Sequence, residues 1–122
     1  MNAVASCDFA AEWERCKAFL EPACDDGWTI EDVEREIRAR RATFWPLEHS
    51  AGVTQVQTRP SGRVLLIWMA GGNLDELLRH LPAMENFARA HDCTSIELNG
   101  RPGWERVMHG YRKHAVVLVR EI

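Results

Sequence analysis

Apolar residues recur along this chain with two different periods. Phe9, Trp13, Cys16 and Leu20 lie on one helical stripe, with Glu12, Glu14, Arg15 and Lys17 mostly off it. This predicts a helix from Phe9 to about Leu20, capped by Asp8 and closed by Pro22 and Asp25-Asp26-Gly27. Ile30, Val33 and Ile37 form a narrower stripe that predicts a second helix to about Arg41, opened by a capping box of Thr29 and Asp32. Leu74, Leu77, Leu78, Leu81, Met84, Phe87 and Ala88 give a long third helix, with Asn73 as N-cap and His91-Asp92 at its end. Pro82 lies inside it and predicts a kink or break near Leu81. Pro102 suits the start of a short helix, Gly103 to His109, which Gly110 ends.

Between the helices the pattern is that of strands. Arg63 to Met69 is an unbroken apolar run and reads as a strand covered on both faces. Gly52 to Thr58 alternates, and the turn Arg59-Pro60-Ser61-Gly62 joins it to that run as a hairpin. Thr43 to Leu47 is β-rich, but Pro46 cannot donate to a ladder, so this strand belongs at an edge. Ser95 to Leu98 follows the long helix, giving a strand–helix–strand crossover with parallel strands. Ala115 to Val119 predicts a final buried strand, returning antiparallel. The expected fold is α+β: one domain over residues 1–122, a mixed central sheet with an antiparallel hairpin and a parallel crossover, and helices on both faces.

Composition narrows the classes. The 122 residues are 46% apolar, enough for a real core and against disorder. A net charge of −3 argues against bulk nucleic-acid binding. No apolar run reaches the roughly 18 residues of a membrane span, and the first residues lack a secretory pattern, so a cytoplasmic protein is expected. Cys7, Cys16, Cys24 and Cys93 form no CxxC pair, and His91 with Cys93 lacks two further ligands nearby. No metal site is expected. Arg38, Arg40 and Arg41 read either as a phosphate patch or as a solvated helix end.

The element order, with Ala70-Gly71-Gly72-Asn73 at the strand–helix junction, resembles the GNAT fold of the acetyl-CoA-dependent N-acyltransferases. The likeness covers most of the chain, best from Gly52 to Ile122. It implies that the pantetheine arm of acetyl-CoA lies between two splayed strands, with its pyrophosphate on the N–H groups opening the long helix. Trp68, Met69, Ala70, Gly71, Gly72 and Asn73 fall at those positions, Asn99 matches a cofactor-touching asparagine, and Arg101 is the nearest base. Tyr111 stands where the family often places a general acid. The family's phosphate loop opens with Arg or Gln, which this chain lacks. Asp75 and Glu76 also set negative charge beside that place. Cofactor binding is therefore expected to be weak or absent.

The stretch Asn99 to Val107, with Gly110-Tyr111-Arg112, is similar to small GNAT-like proteins of phage and prophage morphogenesis. That likeness implies a phage-related protein, virion-associated in that setting, acting through protein contacts or self-association. The other reading is an N-acetyltransferase for a small-molecule amine. Tyr111 is then either the acid or an amphipathic rim residue. Glu97 is either a base or an outward carboxylate, and His49, next to Glu48, either a base or polar surface. Among five tryptophans, Trp13 and Trp68 are expected in the core, while Trp45 and Trp104 are candidate contact anchors.

Overall fold

A computed structural model describes residues 6–100 and 103–122. Helix α1 spans Ser6–Leu20 and is followed by a 3₁₀ turn, Glu21–Ala23. Helix α2 spans Ile30–Arg38, strand β1 Thr43–Pro46, β2 Ser50–Arg59 and β3 Gly62–Gly72. Helix α3 spans Leu74–Ala90, strand β4 Cys93–Leu98 and helix α4 Gly103–Val107. The sheet has the order β1-β2-β3-β4, antiparallel across the first two pairings and parallel across the last. The proline-bearing β1 lies at one edge, where its missing N–H disturbs no central ladder.

The apolar run of β3 is buried because it faces helices on both sides. Leu65 and Ile67 join Trp45, Met84 and Ala88 under α3. On the other face α1 and α2 bring Phe9, Trp13, Cys16, Leu20, Ile30 and Val33 onto Phe44, Ala51, Val53 and Met69. Phe9 stacks on Trp13 with ring centroids 5.7 Å apart, and both meet Phe44 edge-on.

Several expectations need correction. Asp8 does not cap α1, which starts earlier and holds Asp8 within its first turn. Helix α2 ends at Arg38, before Arg41. Arg40 takes φ +63°, and the Arg40 and Arg41 amides return to the Ile37 and Glu36 carbonyls. This Schellman end uses arginine where glycine is usual. Arg38 pairs with Glu34 and Arg41 with Glu36, both at 2.9 Å, so these bases serve the helix end. Helix α3 runs unbroken through Pro82. Pro82 is on the exposed side, where water can take the orphaned carbonyl, while Leu77, Met84 and Ala88 hold the buried side. Helix α4 stops at Val107, short of His109.

Trp45 is not a surface anchor. The residue is 2% exposed; its ring meets Phe87 edge-on and donates to the Thr54 hydroxyl at 2.9 Å. The largest departure is the C-terminal segment. Ala115 to Val119 forms no strand, and every residue from Arg112 to Ile122 is exposed. The run has β-forming side chains but pairs with no strand among the described residues. No helix among the described residues is long and apolar enough to cross a membrane.

Candidate active site

The site starts from a mismatch in strand length. β3 pairs with β4 from Arg63↔Cys93 to Ile67↔Leu98, and there β4 stops. β3 continues to Gly72, so Trp68 to Gly72 have no neighbour on that side among the described residues. The opposite ladder also changes at this point. Val53 pairs with Met69 and Thr54 with Ile67, leaving Trp68 as the extra residue of a β-bulge. A bulge re-aims side chains and is common beside functional sites. Here it sends Trp68 and Met69 to the α1 side together, while Ile67 and Ala70 stay toward α3.

A cleft of about 900 Å³ opens at this splay. Its wall includes Trp68, Met69, Ala70, Gly71 and Gly72 of β3, and Leu98, Asn99 and Gly100 at the end of β4. The end of α1 contributes Phe19, followed by Pro22 and Ala23. Asp25, Asp26 and Trp28 close another side, with Gln55 and Gln57 of β2 and Trp104 of α4. Trp28 meets Trp68 edge-on at 5.2 Å. The charged residues on the described wall are Asp25 and Asp26.

The other candidates lie elsewhere. Asn73 is the N-cap of α3, its side-chain oxygen accepting from the Glu76 amide at 2.9 Å. Arg101 lies outside the described residues. His49 and Glu48 are exposed and off the wall. Glu97 accepts a 2.7 Å bond from Arg59, whose other nitrogen donates to Gln57. Tyr111 is also off the wall. Its hydroxyl donates to Glu85 of α3 at 2.8 Å, and burial, reinforced by that carboxylate, raises the phenol's pKa further from neutrality. A phenol so held is a poor proton donor to a leaving thiolate. Tyr111→Phe should leave turnover unchanged and cost about 1 kcal/mol in a denaturant melt, the worth of one hydrogen bond. A hundredfold fall in rate with stability intact would return Tyr111 to the chemistry.

Glu76, in the first turn of α3, is buried. Its carboxylate accepts from the His49 amide at 2.9 Å and from the Ser50 hydroxyl. The Ser50 bond comes first in holding its pKa below the ordinary carboxylate value, and the His49 amide adds to it. The α3 start therefore carries a fixed negative charge of its own.

The glycines are explained by packing. A Cβ on Gly71 would lie 1.9 Å from the Phe19 carbonyl oxygen, and one on Gly72 2.5 Å from that of His49. The sequence reading missed Trp28, Asp25 and Asp26 as wall residues. The Asp-Asp-Gly signal was legible only as a turn, which it is: Asp26 and Gly27 take φ +53° and +82°.

No family model and no curated protein matches the sequence. Solved structures do match the fold. A GNAT family acetyltransferase from Staphylococcus aureus superposes over 100% of both chains with TM-score 0.65 and 13% identity. A glucosamine-6-phosphate N-acetyltransferase from Arabidopsis thaliana covers 98% of this chain and 95% of its own, with TM-score 0.63 and 11% identity. A Trypanosoma brucei acetyltransferase covers 98% and 96%, with TM-score 0.61 and 12% identity. The chain has the GNAT fold. Of the residues expected at a cofactor, Trp68 to Gly72 and Asn99 line the splay of β3 and β4, and Asn73 caps α3.

Proposed function

We propose that this GNAT-fold chain is an acetyl-CoA-dependent N-acetyltransferase that holds its cofactor weakly and takes a cationic amine as acceptor. The observation that carries the reading is the 900 Å³ cleft at the β3–β4 splay, whose described charged residues are Asp25 and Asp26. Its apolar wall, with Trp68, Leu66 and Leu98, suits an uncharged pantetheine arm. The α3 start suits the phosphates less well, because Asp75 and the buried Glu76 oppose their charge. Bound there, acetyl-CoA would supply an activated acetyl group. Asp25 and Asp26 would attract and orient an ammonium-bearing acceptor, and the apolar wall would exclude water from the thioester end.

Calorimetry tests this reading. Acetyl-CoA should bind more weakly than roughly 100 μM, about −5.5 kcal/mol, and acetyl-pantetheine should bind within about threefold of it. Low-micromolar binding of acetyl-CoA alone would show that the phosphates are held after all. Binding of neither would remove the acetyltransferase reading.

A second reading is favoured by the exposed apolar run Val116 to Val119. On this reading the chain is a phage- or prophage-type protein of the same fold, and it acts mainly through protein contacts.

A further inference from the structure

A second, smaller cavity of about 20 Å³ lies beside the cleft, between the end of the β3–β4 pairing and helices α3 and α4. Ile67, Ala70, Leu98 and Trp104 wall both spaces, so the smaller one adjoins the cleft at the apex of the splay, where β4 stops. Its remaining wall includes Leu81 and Met84 of α3. The lining is almost wholly apolar, so a water there would lack the polar partners it needs. One water-sized group needs roughly 10–15 Å³, so the space admits one methyl and not two. The lining atoms lack contacts on that side, and a methyl would supply them.

We propose that this cavity takes the terminal methyl of a propionyl group, so that the cleft prefers a propionyl thioester to an acetyl one. The inference rests on the reading of the cleft as an acyl-donor site and sets the length of the acyl group. The splay gives the direction. With the phosphates left toward the α3 start beside Gly72, the thioester end of the pantetheine arm reaches the opposite end, at Ile67 and Leu98. An acetyl methyl ends at the wall the two spaces share. One further carbon passes Ala70, the smallest side chain on that wall, and enters the cavity. A fourth carbon meets Leu81 and Met84. Both pack into the core under α3 with Leu65 and Ile67, so that wall yields little.

Calorimetry of the full chain with acetyl-, propionyl- and butyryl-pantetheine tests this without an acceptor. Propionyl-pantetheine should bind about fourfold tighter than acetyl-pantetheine, the gain from one buried methylene, and butyryl-pantetheine about fourfold weaker than propionyl. Ala70→Val fills the space and should bring propionyl and acetyl to about equal affinity. Leu81→Ala enlarges it and should make butyryl the tightest of the three. Circular dichroism melts show whether each variant is folded. In the native complex, nuclear Overhauser effects should run from the propionyl methyl to the Met84 and Leu81 methyls, a readout that needs no variant. Equal affinities for the three thioesters, absent Overhauser effects, or a propionyl preference that neither folded variant moves overturn the inference and leave the acetyl-donor reading standing. Binding of none of the three overturns both.

Discussion

Gly71→Ala is expected to destabilise the protein by about 3 kcal/mol or more, near the upper end of what overpacking costs. The added Cβ would meet the Phe19 carbonyl oxygen at 1.9 Å and the Phe19 carbonyl carbon at 2.9 Å. Both obstacles are backbone, so no rotamer change relieves them. Relief requires the end of α1 to lift off β3. Phe19 packs beside Leu20, which is fully buried in the α1-face core, so lifting it opens that core. Gly103→Ala is the control. Its Cβ would meet only the Arg106 Nη2 atom at 3.6 Å, an ordinary contact, and stability should stay within about 0.5 kcal/mol. Urea melts of the two variants decide the matter. If Gly71→Ala melts like the native protein, α1 is not seated on β3 and the cleft wall at Phe19 is misplaced.

This glycine shows where a sequence is legible and where it is not. Gly71-Gly72 reads in the sequence as a break at the strand–helix junction, where backbone N–H groups could face a ligand, and not as a place closed to side chains. What excludes the side chain is not visible, because Phe19 and His49 lie 52 and 23 positions away in the chain. A ligand phosphate and a neighbouring carbonyl leave the same signature. Local signals survived best: the Thr29–Asp32 capping box, the Asn73 cap and the edge placement of the Pro46 strand each depend on a few adjacent residues. The β3 run also read correctly, since burial on both faces removes alternation whatever covers it. The bulge at Trp68 could not be read, because it exists only in the pairing of β3 with β2. The Glu85 partner of Tyr111 lies 26 residues away and was equally hidden. Val116 to Val119 misled for the complementary reason. Strand propensity is written in the residues themselves, but the presence of an edge to pair with is not.

Leu65→Ala should cost about 4 kcal/mol, and Leu66→Ala about 2 kcal/mol, although the two leucines are adjacent in the most apolar strand. Leu65 is fully buried and packs with Trp45, Met84 and Ala88 beneath α3, while Val56 and Ile96 stand opposite it on the flanking strands. Deleting its side chain leaves a closed void ringed by side chains that are held from two layers. Such a void cannot collapse without moving α3. Leu66 points to the other face, is 8% exposed and borders the cleft. Its deletion widens a space already open to water, so the transfer loss remains but most of the cavity loss does not. The same geometry reverses the order for ligand binding. Leu66→Ala should weaken acetyl-pantetheine binding, because it removes apolar wall, whereas Leu65→Ala should leave binding unchanged wherever the protein is folded. Equal losses in urea melts would mean that α3 does not cover Leu65 as described. A larger loss at Leu66 would mean that the cleft side is the true centre of the core, and the wall assigned to the acyl arm would then be packed interior.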